Sequence, residues 1–180
     1  MLGLINMKKI SLLLTILFAF LCAAGCIKDK VEDVELKVGD RLPDFSVLMN
    51  DGTVVSDESL KGSVSFVMFF HTTCPDCQKT LPVVNDIYNI YVSEGVRFAL
   101  ISREQDEADI LTYWNEKAYD MPFSAQSDRT VYNKFATSRI PRVYISDKDG
   151  IIRYIYTDNP VPDYESLDQA IKALTGLDVK

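Results

Sequence analysis

The sequence predicts an α/β fold in which helices cover both faces of a mixed central sheet. The first observation is an almost continuous apolar run from Val64 to Phe70, which is typical of a strand buried on both faces. The second is the order of the predicted elements: two strands, then strand, helix, strand and helix, and finally two strands and a helix. The third is the composition, because 180 residues with 47% hydrophobic content suit one globular domain with short additions.

Residues 1–25 precede that domain and have the features of a secretory signal peptide. Lys8 and Lys9 give the segment a positive start, and residues 10–24 are almost wholly apolar. This apolar stretch is too short for a comfortable membrane span. We therefore expect residues 1–25 to direct export of the chain.

A run of small residues, Ala23-Ala24-Gly25, directly precedes Cys26. This arrangement resembles the lipobox of bacterial lipoproteins, which are cleaved before the cysteine and lipidated on it. The lipobox usually has leucine three positions before the cysteine, where this chain has Ala23. The resemblance implies cleavage before Cys26 and its lipidation. The alternative is an ordinary signal peptide cleaved nearby, which would leave a soluble protein.

Residues 26–37 alternate charged and small apolar side chains without a clear period, so we interpret them as a tether between lipid and domain. Loss of Lys8 and Lys9 with the signal peptide changes the formal net charge from −7 to −9. Such acidity argues against nucleic-acid partners and against electrostatic adhesion to anionic lipid. Membrane attachment is therefore expected to come from acyl chains on Cys26.

The folded domain is expected over residues 38–180 and opens with a β-hairpin that extends it at the N-terminus. Residues 45–49 and 53–55 flank Asn50-Asp51-Gly52, a sequence that favours a tight hairpin turn. Residues 59–62 are expected to form a short turn, and this turn leads into the buried strand.

Two cysteines, Cys74 and Cys77, stand where the buried strand ends and the next helix begins. Apolar residues then recur at helical spacing, at Leu81, Val84, Tyr88 and Tyr91. Cys74 falls at the helix N-cap, where unpaired N–H groups and the helix dipole favour a thiolate, and Pro75 suits the first helical position. Cys77 lies one turn later, close enough to close a disulfide. The pair is predicted to be a two-electron thiol–disulfide site, with Cys74 attacking and Cys77 resolving.

A stabilising disulfide and half of a zinc site are the alternative interpretations of the cysteine pair. A disulfide that closes so short a loop removes little entropy from the unfolded chain. A structural zinc ion needs about four ligands, and besides Cys74 and Cys77 the domain offers only His71, the one histidine of the chain. We therefore expect no bound metal and no other cofactor.

The second half of the chain alternates strands and helices. The predicted strands are residues 96–101, 143–145 and 151–156, and the predicted helices are residues 107–119, 129–136 and 164–174. The helix over residues 107–119 has an apolar face made of Ile110, Leu111, Trp114 and Ala118. Asp149-Gly150 turns the last two strands into a second hairpin, and Gly176 ends the closing helix.

Several short motifs occur in order along residues 38–174. They are Gly39-Asp40, Pro43-Asp44-Phe45, Asp51-Gly52, Leu60-Lys61-Gly62, the stretch from Phe69 to Pro82, Ile140-Pro141 and Asp147-Lys148-Asp149-Gly150. Together they resemble the TlpA-like thiol–disulfide oxidoreductases of bacterial envelopes, which have the thioredoxin fold. The resemblance implies a thioredoxin-like fold with Pro82 kinking the helix after the cysteines. It also implies a cis peptide bond before Pro141, beside the cysteines, which exposes backbone groups of Ile140 to an incoming peptide strand.

Two positions depart from the family pattern. Thr73 stands where the family usually has tryptophan, and Thr80 stands where many members have a glutamate thought to move protons. His71 is a candidate base near the thiolate, or else a strand-end residue without chemistry. Asp76 brings a negative charge that opposes thiolate formation, or else is a solvated residue at a helix start. Thr80, His71 and Asp76 are thus candidate modulators of the cysteine pair, and Arg142 lies either at the edge of the substrate groove or on the surface.

The cysteine pair and the resemblance together predict an enzyme that reduces disulfides of other exported proteins. It would be lipid-anchored in the bacterial cell envelope, facing the periplasm, and would receive electrons from a membrane donor that the sequence does not identify. The reducing direction follows from Asp76, whose charge opposes the thiolate, and from Pro75, which has no N–H to stabilise it.

Two other functions fit parts of the pattern. The opening motif Gly39-Asp40…Pro43-Asp44-Phe45 also resembles peroxiredoxins, which would make the chain a thiol peroxidase, but His71 occupies the place of that family's threonine. A copper-binding metallochaperone on the same fold would have Cys-x-x-x-Cys and a later histidine, and the predicted domain, residues 38–180, has neither.

Overall fold

The computed structural model describes residues 34–177. The predicted signal peptide, Cys26, the rest of the tether up to residue 33, and residues 178–180 lie outside this range. The helices and strands are β1 (Ser46–Leu48), β2 (Val54–Ser56), α1 (Asp57–Leu60), β3 (Ser65–Phe70), α2 (Pro75–Tyr91), β4 (Arg97–Ser102), α3 (Glu107–Lys117), β5 (Phe123–Ser124), β6 (Arg142–Ser146), β7 (Ile152–Tyr156) and α4 (Tyr164–Thr175). A 3-10 turn, Tyr132–Lys134, lies between β5 and β6. Among the helices of residues 34–177, none is both long and apolar enough to cross a membrane.

Five strands form the central sheet, in the order β5-β4-β3-β6-β7. β3 runs parallel to β4 and antiparallel to β6, so the sheet is mixed, as the sequence predicts. Every residue of β3 is buried, which confirms the prediction of a strand covered on both faces. On one face Phe70 contacts Trp114 of α3, with ring centroids 5.1 Å apart, and on the other Phe69 contacts Tyr132 of the 3-10 turn at 5.3 Å.

The C-terminal end of β3 is the point at which the sheet positions the cysteines. Phe70, the last residue of β3, pairs with Ser102 at the end of β4, and Arg142 at the start of β6 lies beside the same end of β3. The loops that follow β3 and β4 and the loop that precedes β6 therefore meet there. α2 begins at this point and packs against α4, to which Tyr91 is joined by a 2.6 Å hydrogen bond from its hydroxyl to Asp168.

The N-terminal hairpin confirms its prediction: β1 and β2 pair antiparallel as a separate two-stranded sheet. The segment around it contacts both edge strands of the central sheet. At β5, the Asn50 N–H donates to the Phe123 carbonyl at 2.8 Å, and the Asn50 side chain accepts from the Phe123 N–H at 2.8 Å. At β7, the Gly39 N–H donates to the Ile152 carbonyl and the Ile152 N–H donates to the Asp40 carbonyl, each at 2.8 Å.

Three local elements differ from the sequence prediction. The turn before β3 contains the one-turn helix α1, because Ser56 and Ser59 cap each other's backbone N–H groups in a capping box. The helix predicted over residues 129–136 is only a 3-10 turn, Tyr132–Lys134. β5 was not predicted, since two residues are too few to show an alternating pattern.

The apolar face predicted for α3 is only half correct. Ile110 and Trp114 are buried, but Leu111 is 39% exposed. α3 ends at Lys117, and Ala118 caps it in the left-handed conformation with φ 53°, so Ala118 lies beyond the helix and is exposed. The predicted apolar face therefore wrongly included Ala118, which lies past the end of the helix, and Leu111, which lies on its exposed side.

The tether boundary predicted at residue 37 is also too late. Leu36 packs against the core and its N–H donates to the Phe135 carbonyl at 3.0 Å. Glu35 pairs with Arg142. The sequence places both residues in the tether because charged and small apolar side chains alternate there, whereas they contact residues that are about a hundred positions away in the chain.

Candidate active site

Cys74 is the N-cap of α2, as the sequence predicts. Its backbone is extended (φ −75°, ψ 120°), and its sulfur accepts a hydrogen bond from the Cys77 N–H at 3.4 Å. Pro75 occupies the first helical turn, and Pro82 lies inside the same helix. A sulfur in this place replaces the side-chain oxygen of an ordinary N-cap, and negative charge on it is favoured by the free N–H groups and the dipole of the helix.

The two sulfurs lie in different environments. Both cysteines are free thiols, but Cys74 is partly exposed whereas Cys77 is completely buried. Burial raises the pKa of the Cys77 thiol, and the hydrogen bond with the Cys74 side chain raises it further. The backbone N–H of His71 and the positive charge of Arg103 oppose this rise without cancelling it. Of these two thiols, Cys74 is the one with solvent access and with a place at the helix N-terminus.

The loop before β6 lies beside Cys74. The Ile140–Pro141 peptide bond is cis, which confirms what the family resemblance implied. The Cys74 thiol lies 3.6 Å from the Ile140 carbonyl oxygen and donates to it. A second cis bond, Asn159–Pro160, was not predicted, because the local sequence contains no signal that distinguishes it from a trans bond.

A buried glutamine that the sequence analysis missed fixes the loop between β3 and α2. Gln105 accepts a hydrogen bond from the Thr72 N–H at 2.9 Å, and its side-chain NH₂ donates to the Thr72 hydroxyl. Gln78 of α2 donates to the Thr72 carbonyl at 2.7 Å. Because the carboxyl ends of parallel strands meet at one edge of a sheet, a polar residue soon after β4 was a signal that could have located Gln105.

The three candidate modulators lie near the cysteines but direct their side chains elsewhere. The His71 ring accepts from the Thr73 N–H at 3.2 Å and lies 3.0 Å from the Thr73 hydroxyl. Asp76 is paired with the Lys79 ammonium at 2.7 Å, so part of its charge is balanced locally. The Thr80 hydroxyl donates to the Asp76 carbonyl at 2.8 Å. It is therefore engaged with the helix backbone rather than with a sulfur.

The sequence did not decide whether Arg142 lies at the edge of the substrate groove or on the surface. In the structure Arg142 is buried, directly after the cis proline. Its guanidinium pairs with Glu35 and donates to the Ser138 carbonyl at 3.1 Å. The site thus consists of one partly exposed and one buried thiol, a cis-proline loop beside the partly exposed one, and polar side chains that hold the two loops in place.

Comparison with known proteins agrees with this geometry. The model of the Redoxin family matches residues 37–171 of the chain. The thiol-disulfide oxidoreductase ResA of Bacillus cereus is 30% identical over 154 residues, covering 80% of this chain and 86% of the relative. ResA of Oceanobacillus iheyensis is 26% identical over 151 residues, covering 81% of this chain and 78% of the relative.

Solved structures show the same fold. A thiol:disulfide interchange protein of the thioredoxin family from Chlorobium tepidum superposes with a TM-score of 0.67 at 21% identity, covering 79% of this chain and all of the other. The thioredoxin domain of a thiol-disulfide oxidoreductase from Bacteroides vulgatus gives a TM-score of 0.64 at 20% identity, covering 76% of this chain and 99% of the other. The fold is therefore thioredoxin-like, as the sequence resemblance implied.

Proposed function

Because this chain belongs to the Redoxin family and is a thiol–disulfide oxidoreductase, we propose that it reduces disulfide bonds of other exported proteins in the bacterial cell envelope. The observation that carries the proposal is the placement of Cys74. Its sulfur is at a helix N-terminus, partly exposed, and next to the Ile140 carbonyl of a cis-proline loop. A peptide strand that paired with the backbone at Ile140 would bring its own disulfide to that sulfur.

The reaction proceeds by two thiol–disulfide exchanges. The Cys74 thiolate attacks one sulfur of the substrate disulfide, which forms a mixed disulfide and releases the other substrate sulfur as a thiolate. Cys77 then loses its proton and attacks the Cys74 sulfur, which breaks the mixed disulfide and releases the second substrate sulfur. The substrate gains two electrons and two protons, and Cys74 and Cys77 become a disulfide. A membrane-bound dithiol donor is proposed to reduce that disulfide again.

The reducing direction is supported by the residues that follow Cys74. Pro75 has no N–H with which to stabilise the thiolate, and Asp76 adds a negative charge nearby. The pairing of Asp76 with Lys79 weakens the effect of the Asp76 charge on the thiolate, so the expected reducing direction depends mainly on Pro75. Equilibration of the purified protein with a glutathione couple measures the potential. We expect a value near that of thioredoxin, about −270 mV, and a value near about −120 mV would contradict a reductant role.

Parallel reactions of the reduced protein test the proposed substrate class. Reduced protein is mixed with a disulfide-bonded peptide, with hydrogen peroxide and with Cu(I), and thiol loss or metal retention is followed in each. We expect rapid thiol loss with the peptide disulfide. Faster oxidation by peroxide would identify a thiol peroxidase instead, and retention of Cu(I) without thiol oxidation would identify a metallochaperone.

The location of the protein is a separate part of the proposal and depends on Cys26. Small residues before this cysteine support cleavage and lipidation, and several buried acyl chains hold a protein firmly on a membrane whereas one binds marginally. In cells that express the full chain, the Cys26→Ser variant is expected to leave the membrane fraction. A variant that still fractionates with membrane would refute lipid anchoring without affecting the proposed chemistry.

A further inference from the structure

Glu35, in the segment that the sequence assigns to the tether, binds the loop that carries the cis proline. Its carboxylate pairs with the Arg142 guanidinium and accepts from the N–H and the hydroxyl of Thr137, at 3.3 and 3.4 Å. The next residue, Leu36, donates its N–H to the Phe135 carbonyl at 3.0 Å. The chain just before the predicted domain therefore contacts residues that precede and follow the cis-proline bond.

Arg142 needs this partner because its side chain is only 6% exposed. Removing one partner of a buried ion pair leaves the other charge uncompensated, which is costly. Besides Glu35, the guanidinium donates to the Ser138 carbonyl at 3.1 Å. Arg142 also directly follows Pro141 and is the first residue of β6. An uncompensated charge at this position would disturb the loop at its point of attachment to the sheet.

The contacts of Glu35 lie on both sides of the substrate-facing backbone. Thr137 precedes Ile140 by three residues, and Arg142 follows it by two. We propose that Glu35 is a positioning residue for substrate binding: by holding Thr137 and Arg142 together, it keeps the Ile140 carbonyl in place beside Cys74. This inference rests on the proposed reduction of peptide disulfides. It also means that the functional unit begins at Glu35 rather than at residue 38.

The test uses the full chain with Glu35→Ala and Glu35→Gln. Glu58→Gln serves as the matched control, because Glu58 also forms an ion pair, with Lys61, on an exposed helical turn. Each protein is assayed for reduction of a disulfide-bonded peptide and for alkylation of Cys74 by iodoacetamide, which does not need the loop. We expect Glu35→Ala to lower kcat/KM for the peptide by about tenfold, mainly through KM, and Glu35→Gln to have a smaller effect. Alkylation should change by less than about twofold.

Amide hydrogen exchange at Arg139 and Ile140 supplies a readout that does not depend on turnover. We expect these amides to exchange at least about fivefold faster in Glu35→Ala than in the control, since the loop loses its restraint. If the unmodified protein does not reduce the peptide, the proposed function fails while the exchange data still decide the role of Glu35. Equal exchange and equal kcat/KM in Glu35→Ala and Glu58→Gln would overturn the inference. A parallel loss of peptide reduction and alkylation would also overturn it, because it would indicate a general loss of structure.

Discussion

The difference in reactivity between the Cys74 and Cys77 thiols can be measured by alkylation of single-cysteine variants at pH 7. A thiol of ordinary pKa, about 8.5, is about 3% thiolate at this pH, and each unit of increase in pKa lowers that fraction tenfold. Burial raises the pKa of Cys77, and its side chain is completely buried, whereas Cys74 is partly exposed at the helix N-cap. A rise of one unit accounts for about tenfold, and the lack of access adds to it, so we expect at least about a hundredfold difference in rate.

The assay compares Cys77→Ser, which retains Cys74, with Cys74→Ser, which retains Cys77, each in a chain whose Cys22 and Cys26 are also replaced by serine. Iodoacetamide is added to reduced protein, samples are quenched over time, and mass spectrometry follows the singly modified chain. In urea both variants are expected to react at similar rates, which shows that the folded structure creates the difference. Rates within threefold of each other in the native proteins would refute the assigned roles. Faster reaction of Cys77 would reverse them, and only Cys77→Ser should accumulate mixed disulfides with client proteins.

Three further substitutions test the surroundings of the site. Gln105→Leu leaves buried groups of Thr72 without partners, so urea unfolding should show a loss of about 2–4 kcal/mol, and an unchanged midpoint would contradict this role. Burial raises the pKa of Asp168, but the hydrogen bond from Tyr91 and a nearby lysine outweigh it and hold the pKa below its usual range. The stability from these contacts is therefore present above about pH 4 and is lost as the pH falls further. Asp168→Asn should lower the free energy of unfolding by about 1–2 kcal/mol at pH 7. This difference from the unmodified protein should disappear toward about pH 2. Thr80→Val should alter peptide reduction by less than about twofold, because its hydroxyl bonds the helix backbone, and a tenfold loss would instead support a role in proton transfer.

The sequence correctly predicted the parts of the fold that short, continuous stretches of chain determine. The apolar run from Val64 to Phe70 carries its own evidence for a buried strand, and Cys74-Pro75 at its end marks a helix start by local rules of capping. The hairpins follow from Asn50-Asp51-Gly52 and Asp149-Gly150 in the same way. Each of these predictions needs only residues within one element and its neighbouring turn.

The parts that were missed depend on partners far away in the chain. Gln105 and Thr72 are 33 positions apart, and Glu35 and Arg142 are 107 apart. A polar residue in a loop has no periodicity that indicates burial, so the pairing of Glu35 with Arg142 could not be inferred from the sequence. For Gln105 the only available signal was its position soon after a strand expected to run parallel to β3. The length of the 3-10 turn was missed for a related reason, since Tyr132 is held by ring contacts with Phe69 rather than by a helical pattern.

The contacts that the N-terminal segment makes with both edge strands also bear on self-association. An exposed sheet edge offers unpaired N–H and carbonyl groups on which a second chain can add a strand. Asn50 occupies such groups on β5, and Gly39 and Asp40 occupy those at the start of β7. If the chain is lipid-anchored as proposed, copies confined to a membrane surface would meet far more often than copies in solution. Occupation of Phe123 and Ile152 by residues 39–50 would then disfavour strand addition between crowded neighbours at these positions of the two edges.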